Sequence, residues 1–303
     1  MIIAFGSLNM DLLIPVPTLP EPGETVLTPS YATAPGGKSA NQAVAAARAG
    51  GDVTLVGCVG RDAYGDELLE IVSAEGVDSR FITAVDMPSG VAVVAVADNG
   101  ENQIIACFGA NGATAEDMVN DDLLHAASSV LLTLEVPLRE VFALAQRAHG
   151  AGKRVILNAA PAGPIMPETL DILIANEIEA RQIGDQLGIA ATEPVDVARS
   201  LAATHGLTTI VTLGGDGAVA ITPDGGWRVG APVITPRDTT GAGDAFCGVL
   251  AAALDGGADL PAALRRASVA GALTCLEPGA MPALPRSEAI ERRLNDLAPA
   301  TPI

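Results

Sequence analysis

Short runs of aliphatic and β-branched residues alternate with stretches of helical periodicity along most of the chain. That alternation narrows the fold to a mostly parallel sheet with helices packed on its faces. Strands are predicted over residues 2–5, 53–56, 129–134, 154–158, 172–175 and 209–213. Helices are predicted over 39–49, 67–74, 138–149, 177–187 and 195–204, with three more, 242–254, 260–275 and 287–297, finishing the chain. The fold class is α/β. At 303 residues and 49% hydrophobic content the chain can bury a large core, which rules out intrinsic disorder.

One region breaks the alternation. Residues 90–97 and 103–108 are two strand-like runs joined by Asp98-Asn99-Gly100-Glu101, and Asn-Gly is the strongest short hairpin signal. A second extended, proline-punctuated stretch, 12–34, also lacks helical periodicity and is expected to pair with the hairpin as a small separate sheet. Such a sheet is either a surface elaboration or a lid, and long helix-free insertions in compact domains often cover active sites. The expectation is one domain over 1–303 with a discontinuous β lid from about 12–35 and 88–108.

Lysine and arginine total 17 against 36 aspartates and glutamates, a net charge of −19 that repels phosphate backbones and anionic lipid headgroups. Nucleic acid and membranes are therefore excluded as expected partners. No apolar run approaches the roughly 18 residues of a membrane span, and the start Met1-Ile2-Ile3-Ala4 lacks the basic region of a signal peptide, so a cytoplasmic location is expected. Cys58, Cys107, Cys247 and Cys275 form no Cys-x-x-Cys pair and read as reduced core residues.

The most informative stretch is Asp238-Thr239-Thr240-Gly241-Ala242-Gly243-Asp244, directly before an apolar helix. Small residues there let a ligand approach the backbone, and free N–H groups at the helix start point at an anion. Asp244 falls in the first helical turn, where the dipole favours its ionised, proton-accepting form; an ordinary capping carboxylate is the competing reading. A second stretch, Pro35-Gly36-Gly37-Lys38-Ser39-Ala40-Asn41, also opens a helix and presents Lys38 and Asn41 one turn apart. It is not a Walker A loop, because that pattern needs glycine where Ala32 stands and a strand feeding into it. Gly215 to Ala220 formally matches a dinucleotide fingerprint, yet residues 219–222 read as a strand rather than a helix, so a hairpin turn is the simpler reading. Asn176-Glu177-Ile178-Glu179 follows an apolar strand, the edge at which open α/β sheets bind ligands, and its donors suit either a hydrated magnesium ion or a plain helix cap. Asn9, Asp11 and Glu135 stand after strands in the same way.

Together, Gly6-Ser7-Leu8-Asn9-Met10-Asp11, Gly36 to Asn41, Gly109-Ala110-Asn111, Asn176 to Glu179 and Asp238 to Asp244 resemble the ribokinase (PfkB) family of carbohydrate kinases, in the family's order, from Ile3 to about Arg286. The resemblance implies a ribokinase-like three-layer core with a nine-stranded, mostly parallel central sheet and a small β-sheet lid. It implies ATP-dependent phosphorylation of a sugar's primary hydroxyl, with D-ribose the expected acceptor, and a homodimer joined through the lids. By residue-wise match Asp244 is the catalytic base and Gly241, Ala242 and Gly243 the anion hole. Asn9, Asp11, Gly37, Lys38, Asn41 and Glu135 hold the sugar. Asn176 and Glu179 organise Mg2+ and phosphates, and Thr212, Gly214 and Gly217 border the nucleotide. The resemblance also implies a K+ site at Asp238, Thr240, Thr274, Glu277, Gly279 and Ala283. Two of these positions depart from the pattern, Glu277 standing where a basic residue is expected and Ala283 where serine is. Ser39 likewise replaces a glycine common in the family.

The residues narrow the acceptor independently. The chain has one tryptophan, two tyrosines and five phenylalanines, and only Tyr31 and Phe108 fall in the lid segments, which disfavours a nucleobase. Between Phe81 and Leu138 there is no lysine or arginine to pair with an acceptor phosphate or carboxylate. A small neutral sugar remains. Two other classes stay open, another small sugar or a nucleoside as acceptor, and a non-catalytic sugar-binding protein on the same fold. A hydrolase is disfavoured, since no nucleophile elbow is present and His125, His149 and His205 fall on helices or at their ends.

Overall fold

The structure, a computed structural model, describes residues 1–99 and 101–303. The first seven strands are β1 (Ile2–Phe5), β2 (Asn9–Val16), β3 (Ala32–Gly36), β4 (Val53–Gly60), β5 (Asp78–Val85), β6 (Gly90–Ala97) and β7 (Asn102–Cys107). The others are β8 (Ser129–Leu132), β9 (Arg154–Asn158), β10 (Ile172–Asn176), β11 (Thr208–Thr212), β12 (Ala218–Thr222), β13 (Gly225–Val229) and β14 (Thr301–Pro302). The helices are α1 (Lys38–Arg48), α2 (Ala63–Ala74), α3 (Asp121–Ala126), α4 (Leu138–Gly150), α5 (Glu177–Gln186), α6 (Pro194–His205), α7 (Ala242–Asp255), α8 (Leu260–Thr274) and α9 (Ser287–Leu294).

The large sheet runs β14-β13-β12-β11-β10-β9-β8-β1-β4-β5. From β11 to β5 its pairings are parallel, and the β12, β13 and β14 edge is antiparallel. Because the central strands are covered on both faces, neighbouring residues feed opposite cores. Ile2 and Ala4 pack with α1, α2, α7, α8 and α9, whereas Ile3 and Phe5 pack with α3, α4, α5 and α6. Ile172 and Ile174 against Leu173 and Ala175 repeat the division. The result is the expected three-layer core with one strand more than the family resemblance implies, the two-residue β14 paired on β13.

β1 leads into β4 on one side, while β8, on the other side of β1, leads into β9, β10 and β11. The chain therefore reverses its travel across the sheet at β1 and β8. Ligands of open α/β sheets bind outside the carboxyl ends of strands at such a point. Asn158, Asn176 and Thr212 are the last residues of β9, β10 and β11. α7 approaches this edge by lying close on α1. A Cβ at Gly248 would stand 2.8 Å from the Ala45 Cβ and 2.9 Å from the Ala46 N, so a larger residue would push the helices apart.

The smaller sheet has the order β3-β2-β6-β7. It begins at Asn9 rather than at residue 12, so that Asn9 and Asp11 lie within it, paired to Gly36 and Ala34 of β3. β6 and β7 pair antiparallel as the hairpin signal predicts, though Gly100 of that signal lies outside the described residues. Cys58, Cys247 and Cys275 are buried and reduced, but Cys107, expected in the core, is exposed because it ends β7, the edge strand of the smaller sheet. No described helix is long and apolar enough to cross a membrane.

Candidate active site

Both helices that enter the site start on a glycine of positive φ, Gly37 at 89° before α1 and Gly241 at 77° before α7, and neither helix has a side-chain cap of its own. The α1 N-terminus is satisfied from elsewhere in the chain. Lys38 N donates to Glu135 Oε2 at 3.0 Å, and Ala40 N to the Ser7 carbonyl at 3.1 Å. Ser7 Oγ donates to the same Glu135 oxygen at 2.6 Å, so Glu135 ties β1, the loop after β8 and α1 together. At α7 the Ala242 N–H bonds back to the Thr239 carbonyl at 3.3 Å, and the first turn that follows, with Gly243 and Asp244, has no side-chain cap.

Asp244 is buried, 6% exposed, and both of its oxygens are held by amides of α1. Asn41 Nδ2 donates to Oδ2 at 2.9 Å and Gln42 Nε2 to Oδ1 at 3.0 Å. Burial pushes the Asp244 carboxyl above the ordinary carboxylate value, while Lys38 and the two amides pull it back. Burial also opposes the charge on Lys38, but Asp244, Glu135 and Glu179 outweigh it and hold the ammonium above the usual lysine value. Among the described residues Lys38 forms no direct ion pair; it is a cation surrounded by carboxylates at longer range. Burial, with the Glu135 and Asp244 charges, pushes Asp11 up to about 7, against the pull of Lys38.

Asn9 is fixed by a residue to which the sequence pattern assigns no role. Asn111 Nδ2 donates to Asn9 Oδ1 at 2.7 Å and to the Leu8 carbonyl at 3.1 Å, while Asn111 Oδ1 accepts from Leu8 N at 2.9 Å. With its oxygen committed, Asn9 presents its NH2 as the group left for a ligand. Asn41 is the reverse case: its NH2 is committed to Asp244, and its buried Oδ1 has no partner among the described residues. Asp11 lies over Gly36, where a Cβ would stand 2.6 Å from its Oδ1. Ser39, the departure from the family's glycine, bonds Thr133 Oγ1 at 2.8 Å and donates to the Phe5 carbonyl at 3.2 Å, locking the start of α1 to β1 and to the end of β8.

Two cavities open beside Asp244. The smaller, about 230 Å³, is lined by Lys38, Asn158, Asn176, Glu179, Gly241 and Asp244 among others. The larger, about 600 Å³ and within the size range of small-molecule sites, is lined by Thr212, Gly214, Gly217, Ile178, Phe246 and Ala272 among others. They share Asn176, Thr212, Thr239 and Gly243. Asn176 and Glu179 form a reciprocal capping box: Asn176 Oδ1 accepts from Glu179 N, and Glu179 Oε2 from Asn176 N, both at 2.8 Å. The capping reading of these residues therefore holds, and it leaves the second Glu179 oxygen without a hydrogen-bond partner among the described residues, on a residue that lines the smaller cavity. Burial raises the Glu179 carboxyl, against the Asn176 N–H and Lys38. Gly215 belongs to the turn joining β11 and β12, as the failed dinucleotide fingerprint implies, yet Gly214 and Gly217 still border the larger cavity.

The expected cation ligands are gathered less completely. Asp238 Oδ1 accepts from Thr240 N at 2.9 Å and Thr240 Oγ1 at 2.6 Å, and Oδ2 accepts from Gly279 N at 2.7 Å. Although burial works against it, these donors hold Asp238 below the usual carboxylate range. Thr274 is buried with its hydroxyl on the Ala270 carbonyl, and the exposed Glu277 side chain pairs with Arg237 at 3.3 Å. Ala283 is half-buried in the short turn after α8. Among the described residues no cluster of three histidine, cysteine or acidic side chains suits a metal ion, so a cation at this place would rest mainly on backbone carbonyls.

Comparisons with known proteins match nearly the whole chain. The family model for pfkB family carbohydrate kinases matches residues 1–287. The ribokinase of Bacillus subtilis is 37% identical over 300 residues, covering 97% of this chain and 99% of that one. The crystal structure of ribokinase from Thermotoga maritima superposes with a TM-score of 0.91 at 31% identity, over 97% of this chain and 99% of that one. The Arabidopsis thaliana ribokinase complexed with ribose and ATP gives a TM-score of 0.87 at 30% identity, over 97% and 98%.

Proposed function

The chain belongs to the pfkB family of carbohydrate kinases, and we propose that it transfers the γ-phosphate of ATP to the primary hydroxyl of D-ribose, with Asp244 as the base. The observation that carries this reading is the position of Asp244. It is a buried carboxylate in the first turn of an uncapped helix, beside two cavities that share a wall.

Phosphoryl transfer needs alignment and charge neutralisation more than covalent help from the protein. Asn41 and Gln42 hold the Asp244 carboxylate so that its remaining lone pairs can take the hydroxyl proton as that oxygen attacks phosphorus. The Gly241 to Gly243 segment offers backbone N–H groups to the charge that builds on the transferring group, and Lys38 adds a cation on the same cavity. Asn9, through its free NH2, and Asp11, Asn41 and Glu135, through oxygens, read the sugar hydroxyls, with Gly37 opening the turn beneath them. Thr212, Gly214 and Gly217 border the nucleotide.

The donor set fits the inorganic partners of this reaction. Glu179, with an uncommitted oxygen, and Asn176 suit a hydrated Mg2+, which takes few protein ligands; when bound it neutralises phosphate charge. Asp238, kept ionised, with the carbonyls of Thr240, Thr274, Glu277, Gly279 and Ala283, would hold K+ behind the anion hole. The smaller sheet acts as the lid that excludes water from the transfer. Leu27, Tyr31, Ile104, Ile105 and Phe108, all at least 60% exposed, leave it an apolar surface suited to a second copy, so the working form is a lid-to-lid homodimer in the cytoplasm.

The test is ATP-coupled turnover over a panel of D-ribose, 2-deoxyribose, D-fructose, adenosine and 2-keto-3-deoxygluconate, with and without K+. The expected result is the highest kcat/KM on ribose, raised by K+. A different leading acceptor would place the error among Asn9, Lys38, Asn41 and Glu135, and no turnover with any acceptor would leave a sugar-binding protein.

A further inference from the structure

Behind Asp244 lies a line of buried amides of which the transfer scheme uses only the first bond, from Gln42 to Asp244. Gln42, with no exposed surface, donates one Nε2 hydrogen to Asp244 Oδ1 and the other to Asn158 Oδ1, both at 3.0 Å. Asn158 in turn donates from Nδ2 to the Ile174 carbonyl at 3.3 Å. The direction of this line is forced. A carbonyl only accepts, so Asn158 must turn its NH2 to Ile174 and its oxygen to Gln42. Gln42 must then present its NH2 to both neighbours. Its own Oε1 is left buried and unpartnered, a cost the arrangement accepts in order to place two donors.

We infer that Gln42 is a positioning residue that keeps Asp244 Oδ1 an acceptor, aimed by the end of β10 through Asn158, so that the proton taken from the sugar goes to a lone pair facing the cavity. The inference rests on the reading of Asp244 as base. It links the base to the same strand end that carries Asn176 and Glu179, so the sugar side and the phosphate side share one rigid reference.

The titrating and charged neighbours of Asp244 are Lys38 on α1, Glu135 after β8, Asp11 on β2, Glu179 on α5 and Cys247 on α7. All of them keep their identity in a Gln42 variant, so a shift of the pH profile relative to the parent reports the change made at Gln42. Gln42→Met keeps the length and removes the donors; Gln42→Glu keeps the shape and puts a second carboxylate against Asp244. The acid limb of kcat/KM for ribose is expected to move up by about one pH unit or more in Gln42→Met and further in Gln42→Glu. The deficit should shrink as pH rises, and the ribose Kd measured by calorimetry should stay within about twofold. An unchanged acid limb with a pH-independent loss of kcat, or a raised ribose Kd at normal kcat, would overturn the assignment. If Gln42→Met is not recovered folded, Gln42→Glu alone decides on the same limb. Asp244→Asn, assayed in parallel, separates the two claims: normal turnover there removes the base itself, whereas an inactive Asp244→Asn with unshifted Gln42 variants removes only the relay.

Discussion

The two halves of the proposed site are built by different means. On the proposed sugar side Asn9, Asp11, Lys38, Asn41 and Glu135 are side chains, most of them already locked by partners such as Asn111, Ser7 and Asp244. On the nucleotide side the larger cavity is edged by glycines, prolines and apolar groups, with Val233 98% and Ile178 65% exposed at its lining. The difference follows from the ligands. A small polyol offers only hydroxyls, which must be read one by one by fixed donors and acceptors, whereas a nucleotide offers a wide apolar face and phosphates that backbone N–H groups can hold. Substitutions on the sugar side should therefore be abrupt, and those on the nucleotide side graded.

Lys38→Met gives the largest expected effect in this comparison. It leaves Asp11, Glu135, Asp244 and Glu179 without their shared cation, and steady-state assays should show kcat/KM for ribose down by about 10²-fold or more. An effect below threefold would mean the ammonium faces solvent. Ala272→Phe fills the larger cavity from α8, and KM for ATP is expected to rise on the order of tenfold while ribose binding by calorimetry is unchanged. A matching loss of ribose affinity would erase the separation of the halves.

Asp11 sharpens the comparison through pH. Its carboxyl, ordinarily near 3.8, lies at about 7 in the folded chain, so between these values the folded state binds more protons than the unfolded one. Stability from this group is thus fully present below pH 4 and lost as pH rises through 7. Asp11→Asn should raise the Tm relative to the parent most above pH 7 and progressively less toward pH 4, while raising KM for ribose roughly tenfold. A Tm difference independent of pH would contradict the placement of Asp11 among charges. The smallest effect is expected from Ser39→Gly, which removes the bonds to Thr133 and Phe5 and should cost about 1 kcal/mol in urea unfolding with KM for ribose unchanged.

The same contrast governs what the sequence discloses. The core strands were legible because parallel strands buried on both faces read as apolar runs, and the glycine turn that starts α7 because glycines beside an acid have a local cause. Gln42, Asn158, Ser7 and the role of Asn111 were not legible. Their partners lie across the fold, Gln42 to Asn158 spanning 116 residues and Asn41 to Asp244 spanning 203, and no local pattern encodes such a pairing. Half-buried β5 lacks a clean alternation, and α3 is only six residues long, too short for helical periodicity to show. β13 and β14 pair at an edge where two residues of the chain's end suffice. Glu179 was ambiguous for a physical reason: one oxygen of its carboxylate caps Asn176 while the residue also lines the smaller cavity, so the capping reading does not by itself decide against a ligand there.

The most direct test of the account is Asp244→Asn, with turnover on ribose and calorimetric ribose binding measured on one preparation. Loss of a general base is expected to lower kcat by about 10³-fold or more while the ribose Kd moves only a few-fold, because the remaining sugar contacts are side chains fixed elsewhere. A kcat within tenfold of the parent would contradict the assignment of Asp244 as the group that takes the proton.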